Sequence, residues 1–224
     1  MGAFGDTFLN GPVLVRYAPD ILAGVGVTLI LSVLIVLVGI AAGTALAALR
    51  SYRLLGVNAA IVVFADVFRA LPPLVLILLA FFGLPNVGIS LAAPTVLFAV
   101  LTLVLAAFAE EIVWAGITTT PKGQWEAARS TGLGFGQALL WVVLPQALRM
   151  TIPPLTNRAI AISKMTALGM VIGVPDILGA ATTAQSFSAN ASPLTLAAVA
   201  YVLLFLPLVA ASRWLETRFA MSRL

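Results

Sequence analysis

Cysteine and histidine are both missing from this chain. The first absence excludes disulfides, thiolate metal sites and cysteine nucleophiles. The second removes the commonest metal ligand and the usual near-neutral proton relay. Charge is scarce as well: Asp, Glu, Lys and Arg make up 9% of the 224 residues, against 62% apolar residues. So little polar surface cannot coat a soluble globule of this length, and the chain reads as an all-α integral membrane protein. A Gly-x-x-x-x-Gly-Lys-[Ser/Thr] phosphate loop is also missing, so ATP is not cradled here in that way. With few clustered carboxylates besides, no catalytic set and no metal site is expected. The first 20 residues carry Asp6, Asp20 and the single base Arg16, without the basic start of a cleavable signal peptide. Membrane targeting is left to the first span.

What the chain has in abundance is membrane-length apolar sequence. Runs fall near residues 21–49, 57–83, 91–118, 139–173 and 194–215, each long enough for a helix of about 20 residues. Five spans in one transmembrane domain, 1–224, are expected. The net charge of +4 does not call for nucleic acid, because the bases are sorted by loop. Arg50 and Arg53 follow the first run, Lys122 and Arg129 lie between the third and fourth, and Arg213, Arg218 and Arg223 end the chain. The connections 85–92 and 175–193 carry no base. By the positive-inside rule the amino terminus faces out and the carboxyl terminus faces the cytoplasm, which agrees with an odd number of spans.

Gly24, Gly26, Gly39 and Gly43 punctuate the first run, and the last two form a small-xxx-small pair suited to close helix packing. Pro72-Pro73 and Pro153-Pro154 delete backbone donors, so the second and fourth helices are expected to bend or break there, as hinges or cavity walls. Between the third and fourth runs lies the polar loop 119–138. Thr120 is placed to cap a short helix and Pro121 fits its first position, with the helix running through Gln124 to Arg129. Ala127 and Ala128 would form a small-residue face that seats in a partner's groove, with Glu126 and Arg129 orienting it. Gly132, Gly134 and Gly136 then allow a turn back to the membrane.

A specific resemblance is carried by motifs in order along nearly the whole chain. Pro121-Lys122-Gly123-Gln124-Trp125-Glu126-Ala127-Ala128-Arg129, then Gly132, Leu144-Pro145-Gln146-Ala147-Leu148-Arg149 and Ile152-Pro153-Pro154-Leu155-Thr156-Asn157 resemble the polar amino acid permeases of bacterial ATP-binding-cassette importers. Arg69, Pro72-Pro73-Leu74-Val75 and Phe82-Gly83-Leu84-Pro85 resemble the second span of that family, and Val171 to Leu178 the segment after its fourth. The family commonly has arginine where this chain has Trp114, and a small or acidic polar residue where it has Met165. The resemblance implies the type I importer permease fold of five spans, in the bacterial inner membrane. It implies a second permease subunit, two cytoplasmic ATPase subunits that bind ATP and magnesium, and an extracytoplasmic binding protein that delivers an amino acid. Glu126, Ala127, Ala128, Arg129, Gly132, Leu144 and Pro145 would then form the ATPase-coupling loop.

Charges within the spans are the remaining candidates, because each is costly there unless it faces protein or water. Glu110 and Glu111 follow a long uncharged stretch, and successive helix positions are ~100° apart, so one can face inward while the other meets a neighbouring helix. The resemblance aligns Glu111 with the family's glutamate. Two readings stand for Lys164: contact with a substrate carboxylate, with Asn157 and Thr166 supplying neutral hydrogen bonds, or a buried ion pair with an acid of the second or third span. Asp66 and Arg69 are spaced to neutralise each other, and Arg149 and Arg158 are expected to extend to water or lipid phosphate. Trp214 is read as an interfacial anchor. An ion-gradient-driven transporter is the alternative class, although no internal repeat supports it.

Overall fold

The computed structural model describes residues 2–220, so Arg223 lies outside the described residues, as does the side chain of Arg218. Among the described residues every regular element is helical. In order they are α1 (Gly2–Phe8), α2 (Gly11–Arg50), α3 (Leu55–Ala70), α4 (Pro73–Gly83), α5 (Ala93–Thr119), α6 (Lys122–Ser130), α7 (Phe135–Ala138), α8 (Leu144–Lys164), α9 (Ile177–Ser188) and α10 (Ser192–Ala220). A π-helical turn, Leu139–Val143, joins α7 to α8, and a 3₁₀ stretch, Met165–Ile172, follows α8. Four helical stretches are long and apolar enough to cross a bilayer, Phe4–Arg50, Ala93–Thr119, Phe135–Ser188 and Ser192–Trp214. The pair α3 and α4 makes a fifth when its two halves count as one span.

Each expected run is helical, but the boundaries move. The helix α2 begins at Gly11 rather than near 21, because Asn10 Oδ1 accepts the Val13 amide at 3.2 Å and starts it ahead of the long apolar run. Hydropathy marks the membrane's thickness, not the helix's length. The base-free connection 175–193 holds α9, whose start is fixed by Asp176 accepting the Gly179 amide at 2.8 Å. The chain does break between Ala70 and Pro73, as Pro72-Pro73 require. Pro153 and Pro154, in contrast, lie inside an unbroken α8. The irregular turns flank that helix: Leu144 donates five residues back to the Leu139 carbonyl, a widened turn beside Pro145, which has no amide to give the Trp141 carbonyl.

Contacts divide the chain into two compact units, each assembled from three segments. One comprises Met1–Ile35, Pro73–Leu101 and Ile160–Ala211. Its core packs Ile21, Ile177, Ala181 and Ala197, and Gly24 lets α2 approach the Asp176 carbonyl, 2.7 Å from where a Cβ would stand. The Thr28 hydroxyl accepts the Ile177 amide at 3.3 Å, and the Tyr201 hydroxyl donates to Asp176 Oδ2 at 3.1 Å while the Gly179 amide donates to Oδ1, so both oxygens of the buried carboxylate are held.

The other unit comprises Val36–Pro72, Thr102–Ala159 and Ser212–Leu224. Ala47, Ala109, Val113, Ile117, Leu139, Val143, Ala147 and Leu155 form its core. Gly39 and Gly43 put α2 against α5, where a Cβ on Gly43 would stand 2.6 Å from both the Ala106 carbonyl and the Ala109 methyl. The small-xxx-small pair is therefore used within the chain. Gly43→Ala is expected to cost about 1–3 kcal/mol by overpacking, while Gly26→Ala, which meets open space, costs nothing measurable. Thermal unfolding of the two variants in detergent micelles checks the contrast.

Candidate functional site

Five charges of the second unit, Arg50, Asp66, Arg69, Glu110 and Glu111, converge on one cluster. Arg50, the last residue of α2, holds Glu110 Oε1 at 3.0 Å and stands 3.7 Å from Glu111. Arg69, in the last turn of α3, holds Glu111 at 3.0 Å and Asp66 at 3.8 Å. The Glu110 side chain has no exposure and Arg50 has 16%, so this pair is sealed, whereas Glu111 is 44% exposed. Arg50 lies over the Trp114 ring at 4.7 Å, and Arg158 over the Phe108 ring at 3.7 Å. Three helices, α2, α3 and α5, are thus joined by these ion pairs.

Several expectations change here. Arg69 neutralises Glu111 first and Asp66 second, because an inter-helix carboxylate reaches it more closely than the one on its own helix. Arg158 lies flat on Phe108 rather than extending to water. Glu111, expected on a substrate path, is committed to two arginines. Arg50 was legible only as a loop base; the signal for its second role was a pair of adjacent acids with no base three or four residues away on α5.

The coupling-loop residues are brought together on and around α6. Glu126, Ala127 and Arg129 are exposed, and Ala128 is buried at 6%, so the two alanines do not share one outward face: Ala128 turns into its own chain and Ala127 outward. Thr120 does not cap α6, since its hydroxyl donates back to the Gly116 carbonyl at 3.1 Å, the usual habit of threonine at the end of a helix. Pro121 takes the cap position, so α6 starts one residue later than expected. Gly132 ends the segment at φ +89°, a left-handed turn suited to glycine. Trp125 stacks on Phe135 at 5.2 Å and Tyr52 meets the same ring edge-on at 5.1 Å, which pins α6 to the end of α2. Gln146 reaches Gln124 at 3.2 Å, tying the loop to α8 just past Leu144 and Pro145.

The remaining path candidates separate. Asn157 donates to Glu216 at 2.6 Å and accepts from Ser212 at 2.9 Å, so both ends of its amide are used within the second unit. Thr166 is buried and its hydroxyl donates to the Ser163 carbonyl at 2.9 Å. Lys164 belongs to the first unit. It is exposed, makes no ion pair among the described residues, and faces the Phe205 ring at 5.7 Å on a groove of about 510 Å³ walled by Tyr201, Val202, Leu206 and Val209. The expected alternative of a buried Lys164 ion pair is not formed among the described residues.

A chain with four or five membrane-length helical stretches and no other regular structure among its described residues is a multi-pass integral membrane protein. Residues 35–221 match the family described as "Binding-protein-dependent transport system inner membrane component", and the chain belongs to that family. It is 37% identical over 184 residues to a probable glutamine ABC transporter permease protein, GlnP, of Bacillus subtilis (strain 168), covering 80% of this chain and 83% of the relative. It is 30% identical over 202 residues to the arginine transport system permease protein ArtQ of the same organism, covering 89% and 92%. A chain in a crystal structure of an amino acid ABC transporter with histidines superposes with a TM-score of 0.82 at 30% identity, over 92% of this chain and 96% of that one.

The charge cluster sets a stability order. Arg50→Gln, which strands the buried Glu110 carboxylate, is expected to cost about 3–5 kcal/mol. Arg69→Gln, acting on a half-exposed partner, is expected to cost about 0–1 kcal/mol. Glu110→Gln added to Arg50→Gln should restore part of the loss, and unfolding of the three variants in detergent gives the order.

Proposed function

We propose that this chain is the membrane-spanning subunit of an ATP-driven importer of a polar amino acid, facing its amino terminus outward and its α6 loop to the cytoplasm of a bacterial inner membrane. The observation that carries the reading is α6 itself: a nine-residue polar helix set between two membrane-length stretches, pinned by aromatic contacts on one side and presenting Glu126, Ala127 and Arg129 on the other. Its relatives' names, which include permease proteins for glutamine and arginine, support an amino acid as cargo. The partners are a second permease subunit, two ATPase subunits that bind ATP and magnesium, and an extracytoplasmic binding protein. Closure of the ATPases would move α6, with Gly132, Leu144 and Pro145 transmitting the motion into α8. Access to the path then alternates because the two states hold the cargo with different contacts.

Within the path, Lys164 is the residue we assign to the amino acid's carboxylate. A lone cation on a membrane-spanning helix is costly, and an anionic cargo would offset that cost. Glu111, Asn157 and Thr166, whose polar atoms are engaged within the chain, serve this reading as supports for the path rather than direct ligands, and Pro72-Pro73 serve as its hinge.

Reconstitution with neighbouring-gene ATPase and binding protein partners in lipid nanodiscs tests the proposal. A panel of amino acids should include one class that stimulates ATP hydrolysis. Glu126→Lys should lower that stimulation about tenfold or more by reversing a charge at the contact, while Lys164→Gln should raise the amino acid concentration needed. Flux driven by an ion gradient in the purified chain, without an ATPase, would contradict it.

A further inference from the structure

Beside α6 the second unit has an open cavity of about 700 Å³, to which the transport reading assigns no ligand. Its walls include Tyr52, Trp125 and Phe135, the three packed rings, and the charged residues Arg53, Lys122 and Glu126. None of these three charges has an ion-pair partner among the described residues. Arg53 is held at φ 54°, a backbone conformation that is uncommon for a residue with a Cβ and that fixes where its side chain starts. The cavity lies where two membrane-length stretches stop, at Arg50 and Thr119, so its mouth stands at a bilayer surface. Directly after Arg53, Leu54 is 54% and Leu55 91% exposed, two apolar side chains where α3 opens the first half of a membrane-length pair.

We infer that this cavity is a binding site for the phosphate of an anionic phospholipid, seated between Arg53 and Lys122 with its glycerol against the aromatic rings and its chains along Leu54 and Leu55. The three unpaired side chains sum to one positive charge, which one phosphodiester monoanion neutralises. Basic pockets at helix ends that face the membrane surface hold lipid headgroups by this chemistry. A soluble anion would use the two cations but leave the leucines without a function. The Glu126 carboxylate opposes the phosphate, and so sets how tightly the lipid is held. A lipid bound here bridges the end of α2 to the start of α6 and ties the polar helix to the membrane surface. The site requires the membrane-spanning fold but not the identity of the cargo or of the ATPase, so it can fail while the transport reading stands.

Native mass spectrometry of the full chain in a neutral detergent, supplied with equal phosphatidylglycerol and phosphatidylcholine, reads the site. The wild-type chain is expected to retain phosphatidylglycerol in preference, a comparison that needs no variant. Arg53→Gln with Lys122→Gln should weaken that retention about thirtyfold, from the contribution of two surface cations. Arg16→Gln, a base outside this unit, should leave it unchanged. Glu126→Gln should strengthen it, an effect that a merely structural role for Glu126 does not produce. Equal retention of the two lipids by the wild type, retention that ignores Arg53 and Lys122, weakening by Glu126→Gln, or displacement of the lipid by inorganic phosphate at comparable concentration would each overturn the assignment.

Discussion

The Glu110 carboxylate has no exposure, and among the described residues the Arg50 guanidinium alone pairs with it, at 3.0 Å. In a chain this poor in charge, that pair constrains its neighbours. Desolvating both ions is costly, and the cost is met only when the geometry holds. Arg50 must therefore end α2 at one depth against α5, Trp114 must lie under its guanidinium, and the backbones must come close enough for the contact. Gly39 and Gly43 provide that approach, because any side chain at either would collide with α5. Glu111 extends the same arrangement to Arg69 and hence to α3, so three helices share one electrostatic join.

The polar helix α6 depends on this join indirectly. Arg50 fixes where α2 stops, and two residues later Tyr52 meets Phe135, the ring on which Trp125 of α6 stacks. Charge pairing inside the helices and aromatic stacking at their ends thus cooperate to hold a short helix that, at nine residues, would have little stability alone. The outcome is a short helix held by aromatic contacts with Glu126, Ala127 and Arg129 exposed.

Much of this was legible in the sequence, and the failures have physical causes. The apolar runs located every membrane-length helix, since burial in lipid demands about 20 apolar residues wherever the fold is used. They did not locate helix ends: α2 starts about ten residues ahead of its apolar run, and α9, too short and too mixed for a span, was read as loop. Pro72-Pro73 broke a helix as expected while Pro153-Pro154 did not, because the cost of proline in a helix depends on what its neighbours can satisfy. Ala127 and Ala128 were read as one face, yet adjacent positions diverge by ~100°, and one of them is core. Arg50 and Glu110 lie 60 residues apart, a pairing that no local spacing reveals. The Lys164 position was found as a charge in a span; that it faces an aromatic ring and an open groove required the fold.

The centre of the functional account is that the outward face of α6 docks on an ATP-hydrolysing subunit, and the most direct measurement is a site-specific photo-crosslink. A photoreactive residue in place of Ala127, in the chain co-expressed with its neighbouring-gene ATPase, should join the two proteins, and one in place of the buried Ala128 should not. Equal crosslinking from both positions, or none from Ala127 while the two subunits still co-purify, would contradict the docking face.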